Sequence, residues 1–286
     1  MQFLRAGEPG AERPVVRADK AIFDLSGIVD DIDGQFLAGD GIARVRELLE
    51  RGRLPRTELD GQRLGPPVAR PAAVVCIGMN YAAHAAESGS PPPAEPIVFF
   101  KHPNSLVGPD DPILMPDDAE RVDWEVELGV VMGTRAYRLD SPDDALRHVA
   151  GYAVANDVSE RHWQLERSGG QWSKGKCAPT FSPFGPWLVP ADEVEPQRLS
   201  LRSWVNGEPR QDSSTSDMIF DVAHLVWHLS QFMALDPGDI LITGTPEGVA
   251  MSGRFPYLQV GDVVELEVEA LGRQRQECVA APVPAR

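Results

Sequence analysis

The stretch DWEVELGVV, residues 123–131, alternates acidic and apolar side chains over its first six positions. Because successive side chains of a β-strand point to opposite faces, this alternation predicts a strand that carries Glu125 and Glu127 on one face. The apolar run at 130–132 indicates that the strand continues into a buried sheet. The segment therefore predicts a sheet-based core and a pair of carboxylates that share one face.

Strand patterns recur along most of the chain and outnumber helical ones. The clearest strand candidates cover 73–77, 97–101, 123–131, 152–156, 199–205, 240–243 and 263–270. An apolar stripe predicts one long helix from about 217 to 233, and a shorter helix is predicted at 142–149. Strands and helices do not alternate regularly, so the sequence favours a mainly β (α+β) fold over a doubly wound one.

The first part of the chain is predicted to form a small α+β domain over residues 1–68, followed by a larger domain over 69–286. Short strands are predicted at 21–25 and 28–30, and the apolar spacing at 42–49 predicts a helix that ends at Gly52. The stretch at 65–71, rich in glycine and proline, is typical of a linker between the two.

Composition narrows the possible classes of protein. The 286-residue chain has 42% hydrophobic and 24% charged residues, as a folded protein does. Its net charge of −16 argues against nucleic acid or an anionic membrane as a partner, although it can concentrate a metal cation. Three widely spaced cysteines predict neither a disulfide framework nor a zinc–thiolate site. Without a signal-peptide pattern or a long apolar run, the sequence predicts a cytoplasmic protein.

A metal site is one interpretation of Glu125 and Glu127, whose backbone positions on a strand lie roughly 6.5–7 Å apart. A third acid, Asp157, ends another apolar strand, where an unpaired buried charge would be costly. Three carboxylates make an all-oxygen site that suits Mg²⁺ or Mn²⁺ better than Zn²⁺. The alternative is a solvated face, because VELEVE at 264–269 shows the same alternation and is expected to be an exposed strand.

His84 and Glu87 lie three residues apart on a predicted short helix that follows the strand at 73–77. A carboxylate beside a histidine favours the imidazolium and orients the ring, as a general base requires. An ordinary surface pair is the alternative interpretation of this spacing.

Residues 170–176 match GxxxxGK, the start of a phosphate-binding loop, but Cys177 stands where that loop needs serine or threonine. The preceding segment is charged, and the prolines at 179 and 183 prevent a regular helix from following. This context argues against nucleotide binding and leaves the role of Lys176 open.

Seven stretches of the sequence resemble the catalytic C-terminal domain of the fumarylacetoacetate hydrolase family, in the order found in that family. They are IGMNYAAHAAESG (77–89), VFFKHPNSLVGP (98–109), DWEVELGVVMG (123–133), GYAVANDVSERHWQLE (151–166), WSKGK (172–176), VNGEPRQDSSTSDMIF (205–220) and GDILITGTPEGV (238–249). The resemblance covers roughly residues 70–270. It implies a mixed β-sandwich roll with a small N-terminal domain, usually assembled as a homodimer.

The resemblance also implies roles for the acidic residues and the histidine. Glu125, Glu127 and Asp157 match the family's metal ligands, for Mg²⁺ or Mn²⁺. His84 and Glu87 match its water-activating dyad, on a lid that orders over the substrate. Residues 88–94 of that lid are expected to influence selectivity.

Four further residues match groups that contact substrate in the family. Gln164 and Lys176 match the polar groups that hold substrate oxygens, and Lys176 is also a catalytic candidate. Thr245 matches the contact to the substrate carboxylate, and Lys101 in the second stretch is another substrate-binding candidate. The chain departs from frequent family residues at Ala83, at Ala250 and over 177–179, which removes no ligand but suggests a different pocket after the lysine.

The reaction implied is metal-dependent hydrolysis of a C–C bond in a 2,4-dioxo acid, giving pyruvate and a second acid. Residues 157–177 resemble the branch that acts on 2,4-diketo-3-deoxy sugar acids and is often labelled ureidoglycolate lyase. The first substrate candidate is therefore 2,4-diketo-3-deoxy-L-fuconate or -rhamnonate. Oxaloacetate decarboxylation, or isomerisation of a 2-hydroxyhepta-2,4-diene-1,7-dioate-type compound, is the alternative at the same metal site. A nucleotide-binding switch and a non-catalytic metal-stabilised scaffold are alternatives from other classes.

Overall fold

The computed structural model describes residues 1–87, 89 and 91–282. The strands of these residues are Gln2–Ala6 (β1), Arg13–Ala18 (β2), Ala21–Asp24 (β3), Arg56–Thr57 (β4), Leu64–Gly65 (β5), Val74–Gly78 (β6), Ile97–Lys101 (β7), Leu106–Val107 (β8), Ile113–Met115 (β9), Val122–Asp123 (β10), Val126–Met132 (β11), Val149–Asn156 (β12), Ser159–Glu160 (β13), Ser182–Pro190 (β14), Ser200–Val205 (β15), Glu208–Ser214 (β16), Ile240–Ile242 (β17), Val263–Val268 (β18) and Gly272–Ala280 (β19). The α-helices are Gly34–Ala38 (α1), Gly41–Glu50 (α2), Ala82–Glu87 (α3), Arg161–Leu165 (α4) and Val222–Phe232 (α5). Short 3₁₀ helices cover Pro103–Ser105, Pro142–His148, Trp172–Gly175, Ala191–Glu193, Thr215–Asp217 and Ala250–Ser252.

The larger of the two main sheets is mixed, and β11 lies inside it. The strand order is β4-β3-β2-β1-β14-β12-β11-β17-β6-β7, with β5 paired to β1 and β8 paired to β14. β11 pairs antiparallel with both β12 and β17, and every residue of β11 is buried. A strand covered on both faces must be apolar almost throughout, which accounts for the run at 130–132.

A second sheet, in the order β16-β15-β18-β19-β9, packs against the first. Its buried side chains, such as Leu201 and Leu266, join Leu128 and Val130 of β11 in one hydrophobic cluster. Helix α5 contributes Leu225 to the same cluster. The two packed sheets confirm the predicted mainly β fold of the sandwich-roll type.

The N-terminal strands extend the larger sheet, because β1 pairs with β14 through Phe3 and Leu188. Phe3, Val16 and Phe36 share a buried cluster with Phe184 of β14. The N-terminal segment therefore contributes to the same core as the later strands. The division into domains near residue 68 stays a prediction.

Two local predictions near the N-terminus have different outcomes. Helix α2 ends shortly before Gly52, as the apolar spacing predicts. The strand predicted at 28–30 is wrong, because the N–H groups of Ile28 and Val29 both donate to the carbonyl of Leu25 and close a turn. Local hydrogen bonding thus replaces the strand pairing that those apolar residues suggested.

The two helices predicted farther along the chain are shorter or tighter than expected. The one predicted at 217–233 is α5, which begins at Val222 because the Asp221 side chain accepts the N–H of His224 and caps it. The one predicted at 142–149 is the 3₁₀ helix Pro142–His148, capped by Ser141. Both segments pack against one another beside the second sheet's cluster.

Candidate active site and metal centre

Four segments that carry the candidate residues meet at one edge of the larger sheet. β6 and β17 run parallel and end there, β12 also ends there, and the antiparallel β11 begins there. Helix α3 follows β6, Asp157 follows β12, and Thr245 follows β17, while Glu125 immediately precedes β11. Side chains that are distant in sequence are therefore brought together by strand pairing alone.

The strand predicted at 123–131 is interrupted between β10 and β11. Side-chain amides replace the regular ladder here: the Glu125 N–H donates to Asn156 Oδ1 at 3.2 Å, and the Val126 N–H donates to Gln211 Oε1 at 3.1 Å. The interruption allows both glutamates to turn toward the same point. Oxygen atoms of Glu125, Glu127 and Asp157 lie within 4.8 Å of one another, and all three residues are buried.

Three cations surround the acidic triad of Glu125, Glu127 and Asp157. Lys176 Nζ lies 2.9 Å from Glu125 Oε2 and 2.7 Å from Asp157 Oδ2. Lys101 Nζ lies 2.6 Å from Asp157 Oδ1, and Arg161 reaches Glu125 Oε1 at 2.6 Å. Burial acts to raise the pKa of Glu125, but Lys176 and Arg161 outweigh it and hold that pKa well below its usual range.

Glu127 is the exception within the triad. Its carboxylate accepts the Gly244 N–H, but no lysine or arginine among residues 1–87, 89 and 91–282 lies within ion-pairing distance of it. Burial, followed by the nearby charges of Asp157 and Glu125, raises the pKa of Glu127 well above its usual value. Glu127 is thus the triad carboxylate without a lysine or arginine partner among the described residues, and an all-oxygen donor set of this kind suits Mg²⁺ or Mn²⁺.

The histidine–glutamate dyad lies on α3. His84 is buried, and its Nδ1 lies 3.7 Å from Glu87 Oε2, which is ion-pair rather than hydrogen-bond distance. Glu87 also accepts the N–H of Gly248 at 3.1 Å, which ties α3 to the loop after β17. Burial raises the pKa of Glu87, but His84 and the Gly248 N–H outweigh it, so that this pKa lies below its usual value. The surface-pair alternative does not describe these two side chains.

A cavity of about 420 Å³ lies over this edge of the sheet. Six of the predicted site residues line it: His84, Glu87, Glu125, Gln164, Lys176 and Thr245. Glu127 and Asp157 are buried beside Glu125. Residues 88 and 90 of the predicted selectivity segment lie outside the described residues, whereas Pro91 and Pro93 line the cavity.

Two of the substrate-binding predictions have a different placement from the one expected. Lys101 does not line the cavity, and its ammonium is engaged by Asp157 and by the carbonyl of Val158 at 3.0 Å. Thr245 lines the cavity, but its hydroxyl donates to the Val126 carbonyl and accepts from Gln211. Lys101 thus holds Asp157 of the triad, and Thr245 holds the backbone between Glu125 and Glu127.

Sequence reasoning missed Arg161 and Asp123. The Arg161 guanidinium contacts Asp123 at 2.9 Å, Glu125 at 2.6 Å and the Gln164 side chain at 3.0 Å, and it lines the cavity. Asp123 also accepts the N–H groups of residues 250 and 251. The available signal was the acidic alternation itself, since Asp123 is its first member and a buried carboxylate needs a cation.

Lys176 follows the 3₁₀ helix Trp172–Gly175, and its ammonium is engaged by two carboxylates of the triad. A phosphate-binding loop opens an α-helix, whereas the residues after Lys176 form turns, so this geometry argues against a nucleotide site at 170–176. The role left open by the sequence is therefore that of a buried counter-charge that faces the cavity.

Comparison with protein families matches residues 73–279 to the C-terminal domain of fumarylacetoacetate (FAA) hydrolase. The chain belongs to the fumarylacetoacetate hydrolase family. The predicted resemblance is thereby confirmed, and the protein is an enzyme of the fumarylacetoacetate hydrolase family. A Burkholderia multivorans relative, named only provisionally as a hydrolase, is 49% identical over 98% of this chain and 100% of its own length.

Two solved structures show how the fumarylacetoacetate hydrolase fold is shared. The 2-hydroxyhepta-2,4-diene-1,7-dioate isomerase from Mycobacterium marinum matches with a TM-score of 0.75 and 32% identity, over 98% of each chain. Maleylpyruvate hydrolase from Sphingobium sp. SYK-6, in complex with manganese(II) and pyruvate, matches with a TM-score of 0.81 and 27% identity, over 99% of this chain and 100% of its own.

None of the described helices has the length and the apolar composition that a membrane-spanning helix needs.

Proposed function

We propose that the protein is a Mg²⁺- or Mn²⁺-dependent hydrolase that cleaves a C–C bond of a 2,4-dioxo acid to give pyruvate and a second acid. The observation that carries this proposal is the buried triad beside a cavity that His84 and Glu87 also line, with Glu127 unpaired by any lysine or arginine of the described residues. Family membership supports action on dioxo acids, and the manganese- and pyruvate-containing hydrolase structure supports the choice of metal and product.

The donor set fits a divalent ion, which would be held by Glu125, Glu127 and Asp157 and would supply Lewis-acid polarisation of substrate oxygens. His84 faces the cavity and acts as the general base that removes a proton from water. Glu87, held by Gly248, keeps the imidazole oriented toward the cavity. The water oxygen then bonds to the 4-oxo carbon of the substrate.

Bond cleavage follows from the charge distribution around the cavity. Lys176 and Gln164 stabilise the negative charge that develops on the 4-oxo oxygen. The bond between carbons 3 and 4 breaks, and its electron pair remains on carbon 3 as the pyruvate enolate. Carbon 3 takes up the proton that His84 removed from water, and the acyl half leaves as a carboxylic acid that contains the water oxygen.

An isomerase or oxaloacetate decarboxylase is the second candidate function. The similarity to a 2-hydroxyhepta-2,4-diene-1,7-dioate isomerase favours it, because the same metal site can stabilise an enolate without water attack. In that reaction His84 would move a proton between substrate carbons. The intact His84–Glu87 pair favours hydrolysis, since it places a base where water can be activated.

Within the hydrolase proposal, 2,4-diketo-3-deoxy-L-fuconate or -rhamnonate is the first substrate, with pyruvate and lactate as products. The substrate is a small 2,4-dioxo acid, and neither nucleic acid nor a membrane is a partner. A cytoplasmic location and a homodimeric assembly complete the proposal. Size-exclusion chromatography with light scattering tests the assembly directly.

The function is tested by measuring pyruvate release from a panel of 2,4-dioxo acids, oxaloacetate and the dienedioate at fixed Mg²⁺, with and without EDTA. We expect EDTA-sensitive release from the 2,4-dioxo acids. His84→Ala should lower it by about 10²- to 10⁴-fold and still bind oxalate, while His148→Ala should be unchanged. Turnover of oxaloacetate alone would establish the decarboxylase, and normal hydrolysis by His84→Ala would refute the base assignment.

A further inference from the structure

The cavity has an enclosed polar part and an open apolar part. In the polar part, Glu125, Arg161 and Lys176 are each at most 4% exposed. In the open part, Leu165 is 51% exposed and Ile97 is 37% exposed, although both line the cavity. Large apolar side chains at the mouth of a cavity offer a surface that gains free energy when a hydrocarbon group covers it.

Trp172 makes the open part a rigid wall. A Cβ at Gly78 would lie 2.5 Å from the Trp172 ring, so the absence of a side chain at Gly78 is what lets the indole pack there. Phe99 meets the same indole edge-on, with ring centroids 5.8 Å apart. The Lys176 ammonium lies 4.8 Å from the Phe99 ring centroid, which joins the apolar wall to the polar part of the cavity.

The open part offers no cation to a second carboxylate. The lysine and arginine side chains that line the cavity, among the residues described, are Arg161 and Lys176, and both are buried against triad carboxylates. Arg254 is close by, but its guanidinium lies 3.5 Å from Glu87 and over the Phe255 ring, and it does not line the cavity. A charged group placed against this wall would lose water without gaining a partner.

We infer that the cavity selects 2,4-dioxo acids whose group beyond the 4-oxo carbon is an uncharged tail that presents apolar carbon, and rejects those with a terminal carboxylate. This inference rests on the proposed function for the position of the dioxo acid. The metal-binding end of the substrate lies in the enclosed polar part, and the tail lies between Leu165, Ile97 and Trp172. The isomerase neighbour is named for a 1,7-dioate, so the inference separates this chain from that substrate type.

Two matched series test the inference. The first is kcat/KM for 2,4-dioxo acids with methyl, propyl and pentyl tails, compared with a carboxyethyl tail. Each buried methylene should raise kcat/KM by about threefold to fourfold, and the carboxyethyl compound should fall at least about tenfold below the propyl compound. A flat series, or a preference for the carboxyethyl tail, overturns the inference.

The second series measures binding without turnover, by calorimetry of the Mg²⁺-loaded protein with 2-oxohexanoate and 2-oxoadipate. These acids have equal chain length and differ only in the terminal carboxylate. The inference requires 2-oxohexanoate to bind more tightly, and tighter binding of 2-oxoadipate overturns it. If no 2,4-dioxo acid releases pyruvate but 2-oxohexanoate binds more tightly, the proposed reaction is wrong and the tail selectivity stands.

A charge introduced at the mouth provides the converse test. Leu165→Arg should improve 2-oxoadipate binding relative to 2-oxohexanoate by at least about tenfold, because it supplies the missing cation. Val260→Arg is the matched control, since Val260 is 61% exposed and lies away from the cavity. An equal change in both variants would show that net charge, and not this wall, determines the preference.

Discussion

The protein contains two rows of alternating acids that have opposite environments. Glu125 immediately precedes β11 of the larger sheet, Glu127 is its second residue, and both are at most 4% exposed. Glu265 and Glu267 lie on β18 of the second sheet, partly exposed, between the buried Val264, Leu266 and Val268. The first row meets Asp157 and three buried cations, whereas Glu265 pairs with the half-exposed Arg273 at 3.0 Å.

The difference lies in what each strand pairs with, since the local patterns are the same. β18 lies between β15 and β19, and its outer face stays open to solvent. β11 lies between β12 and β17, and its first residues reach the edge where Asp157, α3 and Thr245 also lie. Alternation thus determines the face of a carboxylate, and long-range pairing determines whether that face meets solvent or a buried candidate metal site.

The largest expected contrast is between Glu127→Gln and Glu267→Gln. Removing one ligand of the buried triad should lower kcat/KM by at least about 100-fold and abolish the rise in Tm that Mg²⁺ or Mn²⁺ produces. The same change on β18 removes a partly solvated carboxylate and should alter neither value. Steady-state kinetics and thermal unfolding with and without metal measure both. A metal-dependent rise in Tm that persists in Glu127→Gln would contradict the ligand assignment.

Sequence reasoning predicted those parts of the site that local pattern determines. Alternation singled out Glu125 and Glu127, the end of a buried strand singled out Asp157, and helical spacing paired His84 with Glu87. A solvated face and a surface pair stayed open as alternatives, and the family resemblance supplied the metal and dyad roles. The parts it missed depend on contacts between distant segments. Arg161 belongs to a helix that looks like a charged surface segment until β10 and β13 pair and bring it against Asp123.

The same limit applies to the fold. The strands β6, β11, β12 and β17 of the larger sheet were predicted because burial on both faces leaves a run of apolar residues. β14, Ser182–Pro190, was missed, since its prolines and glycine disfavour a strand, although it pairs with β12, β1 and β8. β16 was missed because EPRQDSS has too few apolar residues to show an alternation. Neighbouring strands stabilise both segments in a way that no local pattern shows.

A second contrast concerns the cations beside each acidic row. Arg161→Met would leave Asp123 and Glu125 buried without their shared cation, and breaking a buried pair in this way costs about 3–5 kcal/mol. Arg273→Met removes the partly solvated partner of Glu265 and should cost about 1 kcal/mol or less. Urea unfolding of both variants measures the two free energies. If the two variants lose the same free energy of unfolding, then Asp123 and Glu125 are more hydrated than their low exposure indicates.

A smaller contrast separates two glutamines. Gln211 of β16 is buried, accepts the Val126 N–H and donates to Thr245 Oγ1 at 2.8 Å, so it positions the segment between the two triad glutamates. Gln211→Leu should cost about 1–3 kcal/mol of unfolding free energy, and it should weaken metal binding by about 10- to 100-fold. Gln259→Leu, at an exposed turn, should change neither. Unchanged metal affinity in Gln211→Leu would limit this glutamine to a structural role.

The smallest contrast is in acid titration, and it compares Glu87 near the triad with Glu269 at the end of the β18 row. Hydrogen bonds from the hydroxyl and N–H of Ser200 lower the pKa of Glu269. At Glu87, burial raises the pKa, but His84 and the Gly248 N–H outweigh it and lower that pKa. A carboxyl whose folded pKa is lowered stabilises the fold above its unfolded pKa, and this stabilisation is lost as pH falls through the folded value.

The stability difference between wild type and Glu87→Gln should therefore be complete at pH 7 and should shrink below about pH 4.5. Carboxyl NMR titration of both glutamates, with unfolding of Glu87→Gln at several pH values, measures this. A difference that grows on acidification would reverse the sign and show that the burial of Glu87 outweighs its hydrogen bonds.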